Sequence, residues 1–150
     1  MIIIAPWARG MRNGAPHPKN YPWWPEVVKN IDEEIIQVGS AGEQQLVSDF
    51  RQNLKLPELA DLVKSCKTWV GVDSFFQHFC WDLTVQGIVI FGQSDPNIFG
   101  HKENVNLLKD RSYLREKQFW LWEQCEFRAE SFVEPDIILD ALRKFDVRLK

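Results

Sequence analysis

The stretch "WVGVDSFFQHFC", Trp69 to Cys80, places an acid, a hydroxyl and a histidine at the end of an apolar run. Asp73 and Ser74 stand at the junction, and His78 follows four residues after the serine. A carboxylate there can accept hydrogen bonds or take up a proton. A serine beside open backbone amides can hold phosphate oxygens, and an imidazole can move a proton. The same residues also suit a plain helix N-cap, in which the Asp or Ser oxygen accepts from first-turn amides. On these residues alone the cap is the simpler reading.

Three further polar sets follow apolar runs. "IIIAP" is followed by "WARGMRNGAPHPKNYPWW", with Arg9, Lys19, Tyr21 and Trp23. "EIIQVGS" runs into "GSAGE", with Gly39, Ser40 and Glu43. "GIVIFG" runs into "GQSDPNIFGH", with Gly92, Ser94, Asp95 and His101. Arg9 or Lys19 could pair with phosphate oxygens. Glu43 could accept from ribose or sugar hydroxyls, and Tyr21 or Trp23 could wall a base. Plain alternatives stand beside each. Lys19 suits a solvated surface; Glu43 suits a first helical turn; "GQSDP" is a turn by composition; the tryptophans suit a core or an interface. His78 by itself is more often a hydrogen-bonding surface or core residue.

The elements that must position these sets can be read from the apolar pattern. Strands are expected over residues 2–6, 34–40, 68–73 and 87–92, with a weaker one over 104–108. Their nearly continuous apolar character suits strands covered on both faces, as in a parallel sheet. Helices are expected over 25–31, opening on a proline, over 43–50, over 57–66 and over 75–83, with a last helix starting at Pro135. The third carries Leu59, Leu62, Val63 and Cys66 on one stripe. The fourth is expected to place Phe75, Phe76, Phe79, Cys80 and Leu83 on one side, with His78 and Asp82 on its flank. An aromatic cluster, "FWLWEQCEF", precedes the last helix.

This alternation implies right-handed βαβ units. The expected fold is a single Rossmann-like three-layer α/β/α domain over residues 1–150 with a mostly parallel sheet. Ligands of such sheets bind beyond the carboxyl ends of the strands, so all four polar sets should share one edge.

Composition sets outer bounds. A chain of 150 residues, 45% apolar, suits one domain with one core and argues against disorder. A net charge of −3 without a basic run argues against nucleic acid as a partner. No apolar run approaches the ~18 residues a membrane helix needs, and the N-terminus lacks a basic leader; a cytoplasmic protein is expected. Cys66, Cys80 and Cys125 form no CxxC and read as reduced thiols. His17, His78 and His101 lack metal-ligand spacing, so neither a metal nor a cofactor is expected.

Taken together, "PWARG", "KNYPWW", "GSAGE", "LPELADLV", "DSFFQH" and "GQSDPNIFGH" resemble, in order and spacing, the C-terminal half of the heptosyltransferases, glycosyltransferase family 9. "CEFRAESFVEPDIILDAL" resembles that family's closing segment. The resemblance implies a GT-B donor-binding half that holds a nucleotide-diphosphate sugar, without the acceptor half. By position, Lys19, with Arg9 nearby, would contact the diphosphate, and Glu43, after Ser40, would reach the nucleoside. Asp73 would bind the donor sugar. Ser74 and the amides of Phe75, Phe76 and onward to His78 would cradle phosphates. Gly92, Ser94 and Asp95 would line the same site. Asp73 and His78 are the candidate catalytic groups, and no metal would be required. Phe75 stands where the family reads glycine. A separate acceptor-domain partner or a homo-oligomer is expected. A non-catalytic protein that binds or sequesters a nucleotide or nucleotide sugar, and a degenerate protein-interaction domain, are the alternatives.

Overall fold

A computed structural model describes residues 1–150. Six strands form one sheet: β1 (Ile2–Ala5), β2 (Ile35–Gly39), β3 (Asp49–Gln52), β4 (Trp69–Val72), β5 (Ile88–Ile90) and β6 (Val105–Leu107). Their order is β3-β2-β1-β4-β5-β6 and every pairing is parallel. The chain switches direction across the sheet after β3, so β1 and β4 lie side by side at its centre. Ile4 of β1 pairs with Val70 of β4. In parallel sheets with this kind of order, the crevice for ligands opens beyond such a central pair.

The side chains divide by the two-residue period of a strand. Ile2, Ile4, Val70, Val72, Ile88 and Ile90 face one layer, with Trp24 and Val27 of α1 (Trp24–Lys29) and Ile138 and Leu142 of α5 (Pro135–Arg143). Ile3, Ala5, Trp69, Val89 and Phe91 face the other. There they meet Leu59, Leu62 and Val63 of α2 (Leu56–Ser65) and Phe76 and Cys80 of α3 (Phe75–Asp82). Both faces are covered, which explains why β1, β4 and β5 are apolar at consecutive positions. A four-residue α4 (Pro96–Phe99) follows β5.

Two expectations are corrected. Residues 43–50 do not form a helix. Fully buried Gln37 of β2 ties this segment down: its Nε2 donates to the Gln44 carbonyl at 2.8 Å and its Oε1 accepts from the Leu46 amide at 2.7 Å. The chain is held open there and continues into β3, which pairs with β2. "GSAGE" therefore leads into a turn, with Gly42 at φ +88°, and offers no helix N-terminus. The second correction concerns α3. Phe75 is 61% exposed, whereas Gln77 is fully buried alongside Phe76 and Cys80. Phe75 is the first residue of its helix and stands at the carboxyl edge of the sheet, where no layer covers it.

Candidate functional site

The β4 exit is built around a buried carboxylate. Asp73 is 3% exposed. Its Oδ1 accepts from Gln77 Nε2 at 2.6 Å, and its Oδ2 lies 3.0 Å from the Lys19 ammonium. Gln77 is one helical turn beyond Asp73, so the α3 register fixes that contact. Lys19 arrives from the long β1–α1 loop. There its backbone amide donates to His17 Nδ1 at 3.1 Å, and Asn20 Oδ1 accepts from the Ala8 amide at 2.8 Å.

Ser74 occupies the N-cap position of α3, but its hydroxyl makes no capping hydrogen bond. Asp73, engaged by Gln77 and Lys19, does not cap either. The first turn thus lacks a side-chain cap, and its amides and partial positive charge are left for another acceptor.

Beyond β1, β2 and β4 a cleft of about 700 Å³ opens, and Arg9, Ser40, Glu43, Ser74, Phe75 and Phe76 all line it. Trp7 and Leu54 add apolar wall. Glu43 folds back over Gly39, and a Cβ on that glycine would strike the Glu43 carboxylate. Glu43 Oε2 is buried without a hydrogen-bond partner, and burial pushes the carboxyl above its ordinary range. A buried acceptor of this kind is stabilised by an incoming donor such as a hydroxyl. A second cavity of about 610 Å³ lies alongside and shares Trp7, Gly10, Gly42 and Glu43 with the first; His17 and Tyr21 line its far side. A further groove of about 750 Å³ lies around Lys67, Trp81, Gln86 and Asn104 and includes none of the candidate ligand-binding residues named from the sequence.

The β5 exit has different duties. Gly92, Ser94 and Asp95 are all buried. A Cβ on Gly92 would sit 2.7 Å from Ser131 Oγ and 2.8 Å from the Phe132 ring, so its small size serves packing. Asp95 Oδ1 caps α4 through the Asn97 amide at 2.9 Å. The Arg111 guanidinium grips both of its oxygens, at 3.0 and 2.8 Å, and holds the carboxyl below its ordinary range. His78 and His101 form a pair, Nδ1 to Nε2 at 2.8 Å, and Trp81 stacks on His101 at 4.5 Å. Burial, then the neighbouring His101, lowers the pKa of His78.

Sequence reasoning missed the strap over residues 111–127. Gln118 ties it to the β5 exit: Nε2 donates to the Gln93 carbonyl at 2.9 Å, and Oε1 accepts from the Asp95 amide at 2.8 Å. The strap delivers Trp122 to within 5.0 Å of the Lys19 ammonium and 5.3 Å of the His17 ring. The Arg115 guanidinium carbon lies over the same indole, 3.6 Å from the ring centroid. Gln77, His17, Arg115 and Trp122 thus belong to the site. The "FWLWEQCEF" cluster was a visible signal for an aromatic contact, though it does not say with what.

The model of glycosyltransferase family 9 (heptosyltransferase) matches residues 22–124. No curated protein gives a significant match. Among solved structures, a glycosyl transferase family 9 protein from Veillonella parvula DSM 2008 is similar with a TM-score of 0.70 at 13% identity, over 97% of this chain and 45% of that one. E. coli ADP-heptose lps heptosyltransferase II is similar with a TM-score of 0.65 at 17% identity, over 97% and 46%. The dodecameric iron-containing heptosyltransferase TibC, solved with ADP-D-beta-D-heptose, gives a TM-score of 0.59 at 14% identity, over 89% and 35%. At these identities the likeness is one of fold, and the chain spans less than half the length of each of these structures.

Proposed function

This chain belongs to glycosyltransferase family 9, the heptosyltransferase family, and we propose that residues 1–150 are a donor-binding domain that holds a nucleotide-diphosphate sugar at the carboxyl edge of the sheet. The observation that carries this reading is the β4 exit: an uncapped α3 N-terminus with a free Ser74 hydroxyl, beside the Lys19–Asp73 pair and a cleft that ends on the Glu43 carboxylate.

The diphosphate lies against the first turn of α3, where amides and the helix dipole favour anions. Ser74 donates to it, and Lys19 turns from Asp73 toward it. The nucleoside occupies the 700 Å³ cleft, with a ribose hydroxyl donating to Glu43 Oε2 and with Arg9, Ser40, Phe75 and Phe76 along the walls. Asp73, released by Lys19 but still oriented by Gln77, accepts from a hydroxyl of the donor sugar. An acceptor hydroxyl attacks the anomeric carbon, and the bond to the diphosphate breaks. Lys19 and the α3 amides stabilise the departing nucleoside diphosphate. The acceptor's proton goes to a base outside this constellation or to Asp73 or His78, the chain's own candidates. An adenosine diphosphate sugar is the first donor to test, because two of the fold neighbours carry ADP-heptose in their descriptions.

The acceptor approaches from a second copy or a separate partner. Phe119 (82% exposed), Trp120 and Leu121 form an apolar patch that such a partner would cover. No helix is long and apolar enough to cross a membrane, and we place the protein in the cytoplasm.

One observation favours a second reading, a non-catalytic nucleotide-sugar binder: Phe75 projects at the position where the family reads glycine. Transfer or hydrolysis of a bound donor separates the two. The test of binding is a thermal-shift screen with ADP-, GDP-, UDP- and CDP-sugars. A ligand at ~100 times its dissociation constant stabilises the native state by about 2.7 kcal/mol. No shift with any of them would overturn the proposal.

A further inference from the structure

Arg115 is a cation without an anion. The hydrogen bonds of its guanidinium run from Nη2 to backbone carbonyls, those of Gln118 at 3.1 Å and Trp120, and its Nε is buried with no partner. Nothing acidic answers it, unlike Arg111, which grips Asp95. Yet it is firmly placed. Its amide donates to the Gln93 carbonyl at 3.0 Å, its own carbonyl accepts from Gln118 Nε2 at 2.8 Å, and its guanidinium lies on the Trp122 ring at 3.6 Å. The Lys19 ammonium faces the same ring at 5.0 Å. Two fixed cations therefore share one indole, and a single buried carboxylate, Asp73, balances Lys19 alone. A guanidinium whose Nη1 is left free and an ammonium beside it, over an apolar wall, match a multi-oxygen anion, with Nη1 donating to it and Lys acting as a point charge.

We propose that Arg115, held on Trp122 by the strap, is a second phosphate-binding cation that acts together with Lys19 on the diphosphate of the donor. This rests on the donor-binding reading above and deepens it. The strap becomes part of the binding site, and Asp73 becomes the internal counter-ion that the diphosphate replaces on Lys19. The two cations then differ in role. Lys19 exchanges one anion for another, whereas Arg115 gains a partner it lacked. Removing Arg115 should therefore weaken phosphate binding while the Asp73 carboxylate keeps its cation, whereas removing Lys19 also leaves Asp73 buried without one.

The test uses inorganic pyrophosphate and, separately, an ADP-sugar, titrated by calorimetry into the wild-type chain and into Arg115→Gln, Arg115→Lys and Ser112→Ala, the last an exposed strap position ten residues before Trp122 in the chain. Arg115→Gln should weaken pyrophosphate binding about tenfold or more, since a hydrogen-bonded charge pair is lost. Arg115→Lys should fall in between, and Ser112→Ala should match the wild type. Pyrophosphate should also shift the Arg115 guanidinium resonance in the wild-type protein, a readout that does not depend on a variant folding well. Pyrophosphate that binds Arg115→Gln as tightly as wild type, or leaves that resonance unmoved, overturns the proposal. If an ADP-sugar binds and Arg115→Gln leaves its affinity intact, Arg115 has no such role and the donor reading survives. If pyrophosphate binding depends on Arg115 while no nucleotide sugar binds, the anion site stands and the donor reading falls.

Discussion

Lys19 and Asp73 meet at 3.0 Å although 54 residues separate them in the chain, and the carboxylate side of the pair is sealed from solvent. The contact joins the loop after β1 to the exit of β4. It fixes two of the four polar sets against each other before any ligand arrives. Trp122 covers the ammonium, and Gln77 holds the other carboxylate oxygen.

The pair is therefore structural as well as functional. Lys19→Met leaves a buried carboxylate without its cation, and a broken buried pair costs roughly 3 kcal/mol. Because Lys19 is partly exposed, the loss should fall at or below that figure. Lys19→Met with Asp73→Asn should recover much of it. Urea unfolding of the two single variants and the double variant measures this, and additive effects would contradict the coupling.

His17 makes stability depend on pH. Burial, then the Lys19 charge, lowers its pKa to about 4. An unfolded chain protonates this histidine below about 6.5, while the folded one holds it neutral down to about 4. Its contribution is thus fully present above pH 6.5 and is lost as pH falls through that window. His17→Gln keeps an acceptor for the Lys19 amide but does not titrate. The stability difference between wild type and His17→Gln should shift against the wild type from pH 7 to pH 5, as followed by thermal melting at each pH.

Phe75 stands at the mouth of the proposed phosphate cradle. Glycine lets a backbone approach a phosphate closely, and Phe75 buries little of its own surface. Phe75→Gly should tighten ADP binding several-fold and cost about 1 kcal/mol or less of stability, the usual penalty for glycine near a helix end. Weaker ADP binding in this variant would mean that the ring serves the nucleoside cleft it lines more than it obstructs the phosphate.

Gly39 tests Glu43. Gly39→Ala places a methyl group where the Glu43 carboxylate now rests. The carboxylate must swing away, and nucleoside affinity should fall as far as it does in Glu43→Gln. Equal affinity of Gly39→Ala and wild type for ADP would remove Glu43 from the site.

Much of the fold was legible because a strand covered on both faces must be apolar at successive positions, as in Ile2–Ala5, Trp69–Val72 and Ile88–Ile90. β3 was not legible. "DFRQ" lies at the sheet edge with one apolar residue, and its preceding loop is held by Gln37, a contact no local pattern encodes. For the site, the strand-exit rule brought Arg9, Ser40, Glu43, Ser74, Phe75 and Phe76 to one cleft. It could not say that Asp95 would be taken by Arg111, that Gly92 would serve Phe132, or that His78 would turn to His101. Those partners lie 16 to 40 residues away in the chain and are set by tertiary packing. The strap escaped for the same reason, since three-residue 3₁₀ turns and loops have no period to read.

Calorimetric titration of ADP-heptose into the wild-type chain, Ser74→Ala and Lys19→Ala tests the central claim most directly. The account predicts saturable binding at one site per chain in the wild type and a loss of about tenfold or more in affinity in each variant. Binding that is absent from the wild type, or unchanged in both variants, would contradict it.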